Sequence, residues 1–165
     1  MIFVTVGTHE QPFNRLIEFI DNLKKEGVIE DEVVMQTGFS TYEPKYCKWS
    51  KLLQYSEMVK NVADARIVIT HGGPASFIMP LQIGKVPVVV PRRHKLNEHV
   101  NNHQVNFVNV VSERMGTIIP IYQIDDLKDV LINYEKIISV MPSDMKSNNE
   151  NFNRQLEEIV KNVLA

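Results

Sequence analysis

Apolar residues fall in short runs between polar turns, and two periods alternate along the chain. Residues 2–6 are nearly all apolar and β-branched, the pattern of a central parallel strand covered on both faces. Phe13, Leu16, Ile17, Ile20 and Leu23 then recur at helical spacing, with Asp21, Lys24, Lys25 and Glu26 on the wet side and Gly27 as the stop. Thr8 is a candidate cap for that helix, and Pro12 suits its first turn. Residues 32–36 read as the next strand, closed by Thr37 and Gly38. Residues 39–50 carry Tyr42, Tyr46, Cys47 and Trp49 but no clear period. The pattern predicts a helix within 52–65, with Met58, Val59 and Val62 inward, and a strand over 67–70. A helix over 74–83, capped by Gly84, and a strand over 86–90 follow. Val105, Val108 and Phe107 mark the buried side of a helix over 100–111. A short strand at 116–119, helices over 124–132 and 152–163, and a polar connector at 143–151 complete the reading.

Strand and helix alternate throughout. That predicts an α/β domain with a mostly parallel sheet, helices on both faces and right-handed crossovers. Ligands of such sheets sit beyond the C-terminal ends of the strands. Residues 7–9, 36–38, 71–76 and 91–104 all follow strands and are expected along that one edge.

The 165 residues suit one such domain. A net charge of -2 lacks the basic footprint of a general nucleic-acid binder. The single Cys47 excludes an internal disulfide framework and reads as a small hydrophobe. Met1 leads straight into the first strand, with no signal-peptide pattern, and no run approaches the ~20 apolar residues of a bilayer span. A cytoplasmic location is expected, with any membrane contact made through a partner.

The densest candidate chemistry is His71-Gly72-Gly73-Pro74-Ala75-Ser76. Two glycines allow close approach, and Pro74 suits a first helical position. The N–H groups of Ala75 and Ser76 would then be free for an anion, helped by the helix dipole and the Ser76 hydroxyl. A tight strand-to-helix turn with no ligand fits the same residues. Pro80 lies inside the helix and predicts a kink or a short first segment.

Arg92, Arg93, His94 and Lys95 form a local basic patch, either a solvated face or a lure for a diphosphate. Beyond it, Glu98, His99, Asn102, His103 and Gln104 mix donors and acceptors as hydroxyl-rich ligands require. His99 and His103 have no acidic partner on their face, so no metal site is expected. His9, in the Gly7-Thr8-His9 loop, suits a general base or a phosphate ligand, and equally a bond to its own helix terminus.

The opening MIFVTVGTHEQPFNRLI and the HGGP…GK-P-VVVPR…EHVNNHQ run resemble the glycosyltransferase family 28 C-terminal domain. This is the donor-binding half of inverting glycosyltransferases with the two-domain GT-B fold. The nearer likeness is to the small soluble subunit of split transferases (Alg13-like, or of the PssE and CpsG type). The resemblance implies a Rossmann-like domain over 1–165, with the helix at about 150–163 packing on its own domain or on the partner subunit. It implies UDP-sugar as donor substrate, with no permanently bound cofactor and no metal. The implied partner is a membrane-anchored Alg14-like or PssD-like subunit that holds a lipid-linked saccharide, and a homodimer of the isolated chain stays open. In the capsule branch the reaction adds galactose to a glucose on undecaprenyl diphosphate.

Carried over residue by residue, Gly72, Gly73, Pro74, Ala75 and Ser76 would seat the diphosphate, with His71 at the entrance. Asn102, His103 and Gln104 would face the sugar, and Arg92 would sit near the uracil or phosphates. Gly7, Thr8 and His9 would face the cleft between subunits, with His9 the local substitute for a base otherwise supplied by the acceptor half. Met79 stands where related enzymes often carry a Glu for the ribose hydroxyls. A non-catalytic enhancer subunit is the competing reading. A flavodoxin-like or NAD-binding module lacks its glycine fingerprint and acidic partner.

Overall fold

A computed structural model describes residues 1–141. Six strands form one all-parallel sheet: β1 (Ile2–Thr5), β2 (Val33–Gln36), β3 (Lys48–Ser50), β4 (Ile67–His71), β5 (Val88–Val90) and β6 (Ile119–Pro120). Their spatial order is β3-β2-β1-β4-β5-β6. The helices are α1 (Asn14–Lys25), α2 (Tyr55–Asp64), α3 (Pro74–Gln82), α4 (His103–Met115), α5 (Asp126–Ile132) and α6 (Tyr134–Ser139). The expected Rossmann-like parallel sheet is what the chain forms.

Strand alternation divides the core. Ile2, Val4, Ile67, Ile69, Val88 and Val90 face one side, where they pack on Leu16, Ile17 and Ile20 of α1 and on Leu127 and Leu131 of α5. Phe3 and Val68 point the other way onto Val62 of α2. Val89 joins them there, against Phe77 of α3 and Val108 of α4. Both faces are thus covered, which is why these strands read as continuous apolar runs.

Several expectations change. Asp21 is fully buried rather than on the wet side. Its carboxylate accepts from the N–H groups of Lys45 (2.9 Å), Tyr46 (2.8 Å) and Cys47 (3.1 Å) and from the Tyr42 hydroxyl (2.9 Å). Burial alone would raise its pKa; those bonds outweigh burial and hold it below the usual value. They also hang the edge strand β3 on the sheet, in a stretch where periodicity predicts nothing. Beside Asp21, burial pushes the Cys47 thiol up to about 12, which fits an unreactive apolar role.

Thr8 does not cap α1, whose N-terminal flank is Phe13, and Pro12 precedes the helix. Val59 is 41% exposed and faces out of the core. Pro80 does not divide α3, which runs unbroken from Pro74 to Gln82. The helix read over 100–111 starts at His103, behind a short 3-10 turn at His94–Leu96 and a left-handed Asn97 (φ 57°). The connector at 143–151 and the helix at 152–163 lie outside the described residues.

Candidate active site at the strand crossover

The chain winds from β1 toward β2 and β3 on one side, then returns to β4, β5 and β6 on the other. The C-terminal ends of β1 and β4 therefore flank the point where strand order reverses, the usual ligand crevice of open parallel sheets. A cleft of about 930 Å³ opens there. Gly7, Thr8 and His9 form one wall, and His71, Gly73, Pro74, Ala75 and Ser76 form another. Leu53, Tyr55, Met58 and Met79 make an apolar third side.

The glycines serve the protein's own side chains first. A Cβ on Gly73 would lie 2.2 Å from His71 Cε1, and one on Gly7 would lie 2.4 Å from His71 Nε2. The His71 ring is thus clasped between two glycines. A Cβ on Gly72 would lie 2.9 Å from the Cβ of Gln104. Only Gly7 of these three needs the left-handed region (φ 72°); the other two are glycine for room.

Hydrogen bonding fixes the state of His71. The Gly73 N–H donates to Nδ1 at 3.0 Å, so Nδ1 carries a lone pair. The proton then sits on Nε2, which is 2.8 Å from Ser76 Oγ. Nε2–H donates to that oxygen, and the Ser76 hydroxyl must direct its own proton elsewhere. Burial, reinforced by the charge of Arg92, pushes the His71 pKa down to about 4, so the neutral ring holds at neutral pH. Ser76 N–H is not free, because it donates to Gly73 O at 3.1 Å. Ala75 N–H is left without a protein partner among the described residues. The start of α3 therefore offers one amide and one oriented hydroxyl, not the pair of amides the sequence predicts.

Arg92, Asn102, His103 and Gln104 do not border the cleft. Arg92 is fully buried and is no part of a basic surface. Its guanidinium donates to the carbonyls of Gln11 (2.7 Å), Val6 (2.8 Å) and Glu98 (3.0 Å) and lies 4.8 Å from the Phe13 ring centroid. It clamps the loops after β1 and β5. Arg93 is engaged too, by the Tyr122 carbonyl and, through its N–H, by Glu98. Glu98 in turn pairs with Arg15 at 2.7 Å. Only His94 and Lys95 of the basic run are exposed.

Gln104 is buried, and its Oε1 accepts from the N–H of Gly72 (3.0 Å) and of Arg92 (3.2 Å). It ties the exits of β4 and β5 together, so its carbonyl oxygen is already committed. Asn102 Oδ1 accepts from His94 N–H at 3.1 Å, and the exposed His103 stacks on Phe107. His9 stacks on His99, with ring centroids 4.5 Å apart. Its Nε2 meets Gln11 Oε1 at 3.0 Å, which leaves Nδ1 as the nitrogen able to take a proton. Burial, then the neighbouring His9 and Arg92, lowers the His99 pKa. Among the described residues no cluster of three or more His, Cys, Asp or Glu is placed to hold a metal.

The sequence does not single out Thr5, Leu53 or Tyr55; it puts Met58 among inward helix positions, and Gln36 at a strand end on the ligand edge without a role. Thr5 and Gln36 did carry a signal: each is the polar last residue of an apolar strand, on the ligand edge. Leu53, Tyr55 and Met58 carried none, since an apolar cleft wall and a core face look alike in sequence.

Fold and cleft together define a parallel α/β unit with a helix N-terminus bordering the cleft at its crossover. The chain belongs to the glycosyltransferase family 28 C-terminal domain family, which it matches over residues 1–162. Comparison with curated proteins gave no match. Among solved structures, the crystal structure of the glycosyltransferase SnogD from Streptomyces nogalater is similar, at 18% identity and a TM-score of 0.45. The similarity covers 86% of this chain and 40% of that one, so this chain spans less than half the length of that protein.

Proposed function

We propose that this chain is the catalytic, donor-binding subunit of a two-component inverting glycosyltransferase. It moves a hexose, with galactose as the candidate, from a UDP-sugar to a polyprenyl-diphosphate-linked acceptor in capsule or exopolysaccharide synthesis. The observation that carries this reading is the start of α3, where the free Ala75 N–H and the Ser76 hydroxyl border the cleft beside β1.

Transfer builds negative charge on the departing diphosphate. An amide, a hydroxyl and a helix N-terminus stabilise that charge without having to reorganise. The acceptor hydroxyl must lose a proton. His9 Nδ1 can take it, or a carboxylate of the partner can. No helix among the described residues is long and apolar enough to cross a bilayer. The proposal gives membrane anchoring to the partner. One feature favours the enhancer alternative: Met79 gives the cleft an apolar wall where a ribose-binding carboxylate is expected.

Sugar transfer from UDP-galactose to a lipid-linked acceptor, measured with and without the partner, tests the proposal. Activity that needs both chains, and falls at least tenfold in Ser76→Ala, supports it. Full turnover by this chain alone removes the two-component reading. Full turnover by the partner alone makes this chain the enhancer.

A further inference from the structure

We propose that Gln36 is a specificity-determining residue of the cleft, whose carboxamide Nε2–H donates to an acceptor oxygen of the bound nucleotide. This rests on the donor-site reading above and assigns a residue that reading does not use.

Gln36 ends β2 and sits directly across from Thr5, the last residue of β1. Both side chains line the cleft, yet Gln36 is only 4% exposed and Thr5 1%. Thr5 Oγ1 lies 2.8 Å from Gln36 Oε1, and the Gly7 N–H points at the same hydroxyl from 3.3 Å. The direction of this chain is determined. Gly7 N–H can only donate, so Thr5 accepts from it and passes its single proton to Gln36 Oε1. Reversing the carboxamide would leave the Thr5 hydroxyl proton without an acceptor among the described residues. A buried polar group left so costs about 1–3 kcal/mol. Nε2 is therefore the end that faces the cleft, and it has no partner among the described residues.

Three polar groups of the cleft then share one sense: Ala75 N–H, Ser76 O–H and Gln36 Nε2–H all donate, whereas His9 Nδ1 and the Glu10 carboxylate on the loop after β1 accept. The three donors call for a ligand that presents acceptors to them. Gln36 lies two strands from β4, roughly 10 Å at the usual strand spacing. A diphosphate seated on α3 spans only part of that distance. The oxygen that Gln36 meets is either a phosphate oxygen or a carbonyl on the pyrimidine ring.

Binding of UDP, uridine and inorganic pyrophosphate to the full-length chain, with Gln36→Glu compared to wild type at neutral pH, decides this. The carboxylate keeps an acceptor for Thr5 but turns a second acceptor toward the ligand. We expect at least tenfold weaker UDP binding with either uridine or pyrophosphate binding unaffected. Loss shared by UDP and uridine, with pyrophosphate unaffected, places the contact on the pyrimidine; loss shared by UDP and pyrophosphate places it on phosphate. Wild-type UDP affinity in the variant overturns the proposal. So does a lowered melting temperature with all three probes weakened alike, which makes Gln36 structural. A wild-type chain that binds none of the probes sinks the donor-site reading itself.

Discussion

Replacing Arg92 with Met should cost stability before it costs ligand binding. Arg92 is fully buried and donates to three main-chain carbonyls, those of Val6, Gln11 and Glu98. Burial brings its pKa down to about 10, against the pull of Glu98, so it stays charged at neutral pH. Met fills much of the same space and keeps an apolar contact with Phe13, but satisfies none of the three oxygens. Hydrogen bonds from a charged donor contribute about 1.5–3 kcal/mol each. Allowing for relaxation and the regained packing, a net loss of about 4 kcal/mol is expected. That is a large share of the ~5–15 kcal/mol typical of a domain. At about 2–4 °C per kcal/mol for a chain of this size, the melting temperature should fall by about 10 °C. Urea and thermal unfolding of Arg92→Met and wild type measure this directly. A variant within 1 kcal/mol of wild type that has lost UDP binding would refute the clamp and make Arg92 a ligand contact.

Two further outcomes follow from the loop wiring. His71 has a folded pKa of about 4 against about 6.5 when unfolded, so between those values the unfolded chain binds the extra proton. About 3 kcal/mol of stability is then present above pH 6.5 and is lost as the pH falls toward 4; His71→Gln should flatten that slope in denaturation midpoints taken from pH 7 to 4, and equal slopes would contradict the assignment. Gln104→Ala should lose about 2 kcal/mol in urea unfolding by stranding the N–H groups of Gly72 and Arg92, while Gln104→Glu retains most of it. Unaltered stability with altered sugar preference in Gln104→Ala would restore the direct sugar contact.

The layers and the crossover loops were legible because buried parallel strands declare themselves as apolar runs, and Gly27 and Gly84 punctuate helices in the ordinary way. The loop 71–76 was legible in position but not in detail. Its glycines read as room for a phosphate, whereas the nearest claimant for that room is the ring of His71. Arg92 and Gln104 were misplaced for one shared reason. A charged or polar side chain reads as exposed unless its partners are known, and here the partners are main-chain carbonyls for Arg92 and main-chain N–H groups for Gln104, up to 86 residues away. Asp21 was lost to the same blindness: helical spacing put it among wet neighbours, while its partners come from a stretch with no period at all.

The Asp21 anchor has a consequence for how this sheet edge tolerates change. Three of its four bonds go to backbone amides, which nearly every amino acid supplies. Residues 45–47 can therefore be rewritten widely without losing their shape, provided that one aspartate stays and none of the three becomes proline. The turn before β3, at the strand end opposite the cleft, is in effect a replaceable module on a fixed peg, open to rewriting without disturbing either the sheet beneath or the ligand edge.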